Sequence, residues 1–111
     1  MLVTIHQPNF MPWYPFFQKM EEADIFVILK NCQFEKNGFQ NRFNINKNWY
    51  TMSTKKGLDP ICTKSYLNPQ KDWQKIKNKL PEYHDTLCLF DEDITDNLSE
   101  TNVNIIQRIS S

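Results

Sequence analysis

A short run of β-branched residues ends directly on a histidine, and a loop stiffened by three prolines follows. The run is Leu2-Val3-Thr4-Ile5, the histidine is His6, and the prolines are Pro8, Pro12 and Pro15. Residues of the first type favour a strand. Pro12 and Pro15 both suit the entry of a helix, where a missing N–H costs nothing. Phe16, Phe17, Met20 and Ala23 then repeat at i, i+1, i+4 and i+7, one amphipathic stripe. This predicts a helix from about Pro15 to Ala23. Asp24 closes it in a cap or turn role, and Ile25-Phe26-Val27-Ile28-Leu29 begins a second strand. Five consecutive apolar residues predict burial on both faces, as in a parallel sheet covered by helices. Strand, helix and strand within about thirty residues make a βαβ unit. In an open α/β sheet the ligand binds beyond the carboxyl ends of the strands. His6 stands at such an end.

The expected fold class is therefore α/β, with a small, mostly parallel sheet opened by a βαβ unit. The 111 residues suffice for one domain, 1–111, and not for two. Residues 32–48 read as a long polar loop dense in Asn and Gln. Trp49 to Thr54 alternates like a strand, and Ile61 to Tyr66 reads as another. Pro69 to Leu80 is predicted helical, with Trp73, Ile76 and Leu80 on one face and lysines on another. Thr86 to Phe90 reads as a short strand or a helix start. A final helix is expected over Thr101 to Ile109, capped by Thr101 or Asn102, with Val103, Ile106 and Ile109 on one side. A βαβ fold would normally return to its sheet after such a helix, so the domain is expected to be incomplete or shortened.

Composition removes several function classes. Thirteen Lys and Arg balance thirteen Asp and Glu, so the chain as a whole is not an electrostatic partner for nucleic acid. Two glycines, Gly38 and Gly57, cannot build a Gly-rich phosphate cradle. Three widely spaced cysteines form no zinc or redox motif. Their odd number and the lack of a signal peptide argue for a reduced, cytoplasmic chain. The longest uncharged stretch is broken by His, Asn, Gln and prolines, so no membrane partner is expected. No metal is assigned. Asp91, Glu92, Asp93 and Asp96 lack the spacing of a calcium loop and read as a plain acidic loop. His84, after Pro81, reads as a surface histidine.

His6 is the candidate catalytic residue, since an imidazole can serve as acid, base or phosphate donor near neutral pH; a packing or capping role is the alternative. Gln7 and Asn9 flank Pro8, where their amides either orient a ligand or satisfy the turn. Trp13 is positioned to stack on a base or sugar, with packing beneath the loop as the alternative. Gln33, Lys36, Gln40, Asn41 and Arg42 form a second cluster. Arg42 is its natural anion binder, because a guanidinium donates in pairs.

These residues resemble a known family. His6-Gln7-Pro8-Asn9-Phe10-Met11-Pro12-Trp13, then Phe17 and Lys19, Ala23-Asp24, Phe26-Val27, Gln33-Phe34 and Gln40-Asn41-Arg42 are similar to the WbqC-like protein family. The likeness is strong over residues 3–44 and colinear to about residue 90, through Trp49, Thr51, Ile61, Trp73 and Tyr83. The resemblance implies a bacterial surface-polysaccharide (O-antigen) setting. It further implies a transferase acting on a sugar nucleotide or another phosphorylated metabolite, with no cofactor specified. Family members are longer, so the chain is expected to be an N-terminal portion. A looser analogy is to nucleotidylyl transferases of the pantothenate synthetase kind, which are Rossmann-like. Their HxGH histidine pair has no counterpart here, where His6 stands alone. The alternative to catalysis is a ligand-binding or assembly module. It would be completed by a second copy or a second half docked on the C-terminal helix.

Overall fold

The computed structural model describes residues 1–12, 14–30, 32–34, 38–45, 47–57 and 59–110, with Tyr14 described in its backbone only. The chain is mixed α/β. Strand β1 (Val3–His6), helix α1 (Tyr14–Glu22) and strand β2 (Ile25–Ile28) form the expected opening unit. β1 and β2 are parallel, with Val3 opposite Ile25, Ile5 opposite Val27 and His6 opposite Ile28. Asp24 takes the turn role assigned to it, its carboxylate accepting the Leu2 N–H at 2.7 Å.

The rest departs from one parallel sheet. Strands β3 (Arg42–Ile45) and β4 (Asn48–Thr51) form a separate antiparallel hairpin. Half of it lies in the stretch read as a loop. Arg42-Phe43-Asn44-Ile45 alternates polar and apolar, and Phe43 stacks on Tyr50 across the ladder at 5.5 Å. Lys47 at φ 69° makes the tight turn, and its N–H is accepted by Asn44 Oδ1. Residues 61–66 are not a strand. Pro60 opens a short 3-10 turn over Ile61–Thr63, and Ser65 and Tyr66 make only isolated bridges, to Asn97 and Thr54.

Three helices follow: α2 (Pro69–Lys79), α3 (His84–Cys88) and α4 (Leu98–Ser110). α4 starts three residues earlier than expected. Asn97, not Thr101 or Asn102, holds its first turn, its Oδ1 accepting the Glu100 N–H at 2.8 Å. Thr101 and Asn102 are fully buried instead. No described helix is long and apolar enough to cross a membrane.

The core lies between the hairpin and the last three helices. It contains Phe43, Met52, Ile61, Tyr66, Trp73, Ile76, Leu98 and Ile105. At its centre is Phe10, from the proline-rich loop. Its ring is 5.6 Å from Phe43, 6.0 Å from Trp73 and 6.3 Å from Tyr66. Burial of one aromatic ring thus anchors the loop that leaves His6.

The βαβ unit is covered on one side only. α1 sends Phe16 onto His6 and Phe26, with ring centroids 4.7 and 5.4 Å apart. On the other side Val3, Ile5, Ile25 and Val27 are exposed, as is Leu29. The expected burial of β2 on both faces is therefore corrected. A two-stranded sheet with one helix has nothing for its second face to rest on. The C-terminal helix, by contrast, uses Ile105 and Ile106 in the chain's own interior and leaves Ile109 exposed.

The acidic stretch serves the charge balance of the core. Lys77 is buried, and its ammonium donates to Asp91 at 2.9 Å. The Trp73 indole N–H donates to the same oxygen at 2.8 Å. The Lys77 hydrogen bond, followed by that of Trp73, holds the Asp91 carboxyl below its ordinary value. Asp93 accepts two bonds from Arg108, at 2.6 and 3.1 Å.

A folded-state pKa below the unfolded one gives stability above the unfolded value, lost as pH falls through the folded value. Asp91→Ala strands the Lys77 ammonium. It is expected to cost about 1–3 kcal/mol at pH 7, at the lower end because the carboxylate is half-exposed and screened. Urea denaturation should show the gap to the parent narrowing below pH of about 4, where the parent loses its own carboxylate. Lys77→Met removes the buried charge and should be closer to neutral.

Candidate functional site

His6 occupies the last position of β1, half-buried against the edge of the Phe16 ring. Its Nδ1 is 2.8 Å from the Gln7 carbonyl oxygen. A carbonyl only accepts, so Nδ1 is the donor of this bond, and Nε2 is the ring nitrogen left for a ligand. The backbone carbonyl of His6 accepts the Leu29 N–H, which ties the end of β1 to the end of β2.

The next residues are held just as firmly. Gln7 Oε1 accepts from Gln40 Nε2 at 2.6 Å. Gln40 is buried, and its Oε1 meets no hydrogen-bond donor among the described residues. A buried acceptor without a donor costs about 1–3 kcal/mol, and buried polar groups of this kind call for an explanation. Pro8 is buried, and its carbonyl accepts from Asn102 Nδ2 at 2.9 Å. The same NH2 group donates to the Gln40 carbonyl at 2.7 Å. Asn102 Oδ1 in turn accepts from Tyr66 Oη at 2.8 Å. One asparagine of α4 therefore clamps the His6 loop, the Gln40 segment and Tyr66. Burial pushes the Tyr66 hydroxyl well above its ordinary pKa, against the smaller opposing effect of the Asn102 bond. Tyr66 accordingly stays a neutral donor.

The second cluster does not converge as a unit. Gln40 joins Gln7, as described. Asn41 turns inward: its side-chain NH2 donates to the Met52 carbonyl at 2.8 Å, and its backbone carbonyl accepts the Met52 N–H. These two bonds close the base of the hairpin. Arg42 donates through Nε to the Gly38 carbonyl at 3.2 Å and stacks on Trp49, with Cζ 3.9 Å from the ring centroid. Gln33 is exposed on the segment paired with Pro60, and its amide donates to the Asp59 carbonyl. Trp13 and Lys36 lie outside the described residues.

Beyond the loop lies a cavity of about 600 Å³, within the ~300–1,000 Å³ of small-molecule sites. Asn9, Phe10, Met11 and Pro12 form one side of it. Phe39, Phe43, Asn44, Ile45 and Trp49 line it from the hairpin region, and Tyr83, Thr86 and Leu87 from the start of α3. His6 is not among its lining residues; the loop 7–12 connects the two. Of the described residues assigned from sequence, Asn9 is the one that faces this cavity. Phe39, Asn44, Trp49, Tyr83 and Thr86 were not foreseen there. They are far apart in sequence, and although Trp49 and Tyr83 belong to the family likeness, nothing in it assigned them to a cavity. Met11 adopts φ 45° in the cavity wall, a left-handed conformation that a non-glycine residue keeps only when its surroundings impose it. Among the described residues, no three His, Cys, Asp or Glu side chains come together to hold a metal.

Residues 7–111 match the WbqC-like protein family. The match begins one residue after His6 and continues well past the segment whose motifs are legible by eye. No curated protein and no solved structure matches the chain. With the match covering almost all of the 111 residues, the chain belongs to the WbqC-like protein family.

Proposed function

We propose that the chain is a cytoplasmic transferase domain acting on a sugar nucleotide or another phosphorylated metabolite in bacterial surface-polysaccharide (O-antigen) synthesis. The observation that carries this reading is the state of His6: Nδ1–H committed to the Gln7 carbonyl, at the carboxyl edge of a parallel strand pair. That edge is where Rossmann-like sheets bind nucleotides. In the proposed step, His6 Nε2 takes the proton of an acceptor hydroxyl. The acceptor oxygen bonds the transferred group, and the donor's bond to its phosphate breaks, the phosphate leaving with the electron pair. Arg42 offsets the negative charge on the leaving phosphate, and Gln7, Asn9, Gln40 and Trp13 orient the ligand. Asn41 contributes by holding Arg42's strand, and Gln33 by its place beside the β2 exit.

Incubation with a panel of sugar nucleotides, followed by ³¹P NMR, tests this. New phosphate resonances that grow with time are expected. A folded protein that leaves every donor intact would count against catalysis. A second reading, an assembly module, is favoured by the exposed Val3, Ile5, Ile25 and Val27 face, since parallel sheets are normally covered on both sides. A second copy or a second half would then cover that face together with the exposed end of α4.

A further inference from the structure

We infer that the cavity between the Asn9–Pro12 loop, the hairpin and α3 seats a nucleobase. This rests on the proposed reading and deepens it, by selecting a nucleotide from among phosphorylated ligands. Three aromatic side chains at the cavity, Phe39, Trp49 and Tyr83, are 51%, 45% and 42% exposed, whereas Phe10, Phe16, Phe43, Tyr66 and Trp73 are buried. Aromatic rings left at a concave surface offer stacking faces that the fold itself does not use. Phe39 and Trp49 already lie 5.7 Å apart, and the Arg42 guanidinium lies over Trp49, so that wall is fixed in place.

Charge decides between ligand parts. Among the described residues no lining side chain is charged, so these walls suit an uncharged group better than a phosphate or a carboxylate. The described lining also holds no acidic side chain to accept hydrogen bonds from sugar hydroxyls. Among the described lining residues, the polar side-chain groups are the Asn9 and Asn44 amides and the Tyr83 and Thr86 hydroxyls. Amides pair with base edges because each offers a donor beside an acceptor. Asn44 Oδ1 is committed to the Lys47 N–H, which leaves its NH2 group to donate to a ring nitrogen or carbonyl. A flat, uncharged ring with hydrogen-bonding edges meets each of these conditions. The strained Met11 in the wall has the character of a ligand clamp.

The test is titration of the full chain with phosphate-free nucleosides (adenosine, guanosine, cytidine and uridine). It is read from the Trp49 indole and the Asn9 and Asn44 side-chain amide signals in ¹H–¹⁵N spectra. At least one nucleoside should bind saturably. Trp49→Ala should weaken it roughly 10- to 100-fold, as expected for loss of one stacking ring. Tyr83→Ala, on a separate element, should also weaken it, while His6→Ala should not. Nucleoside binding unchanged in both aromatic variants would overturn the assignment. So would binding of sugar phosphates with none of the nucleosides, an outcome that leaves the transferase reading standing. Nucleoside binding without turnover of any sugar nucleotide supports the base seat and counts against the transferase.

Discussion

Asn102→Ala is expected to destabilise the chain by about 3–5 kcal/mol, enough to unfold much of it at moderate temperature. The side chain is fully buried. It donates to the carbonyls of Pro8 and Gln40 and accepts from the Tyr66 hydroxyl. Truncation leaves the Pro8 carbonyl without its donor, leaves the Tyr66 hydroxyl and the Gln40 carbonyl only their long 3.5 Å bond to each other, and removes packed volume as well. Asn102→Asp keeps the shape but sets an oxygen against two carbonyl oxygens, and it should not restore stability. Thermal unfolding followed by circular dichroism measures both. Tyr66→Phe removes the hydroxyl and leaves Asn102 Oδ1 as the one unpaired atom, so it should cost less, about 1–3 kcal/mol. An Asn102→Ala protein with unchanged stability would mean that the loop after His6 is held by some other contact.

His6→Ala is expected to lower the transfer rate by about 10²- to 10⁴-fold, the range for a positioned acid or base, while the fold persists. The ring is half-buried and packs on Phe16, so some stability is lost, but the core around Phe10 does not include it. His6→Gln, which cannot serve as a general base, should be equally inactive. Initial rates on whichever sugar nucleotide is consumed, compared at equal folded fraction, give the answer. Parental rates in both variants would remove His6 from the mechanism.

What the sequence showed of all this depended on how local the cause was. The opening strand, helix and strand were legible because β-branched runs and a helical stripe are short-range signals. Their placement came out within one residue at each end. The exposed second face of β2 was not legible, because five apolar residues in a row look the same whether or not a cover exists. β3 was hidden in an amide-rich stretch, and only its ladder with β4 makes Arg42 to Ile45 a strand. Ile61 to Tyr66 looked like a strand by composition, but Pro60 and the pairing of Tyr66 with Asp96 set a different path.

The site divides in the same way. His6 could be placed from its position after the first strand. The pairing of Gln7 with Gln40 spans 33 residues, and the clamp of Asn102 on Pro8 spans 94; no spacing rule reaches that far. Asn41 and Arg42 are neighbours in sequence, yet alternation in a strand sends one amide into the core and the other side chain onto Trp49. The aromatic cavity draws its walls from residues 9–12, 39–49 and 83–87, so it exists only once the chain is folded.

The most direct test of the ligand site is a thermal-shift screen of the purified chain against nucleotides, sugar nucleotides and simple phosphates, with His6→Ala and Arg42→Ala alongside. The account expects a concentration-dependent rise in Tm with at least one phosphorylated ligand, following mass action, and loss of that rise in both variants. A folded protein whose Tm moves with none of these ligands, or moves equally in all three proteins, would contradict it.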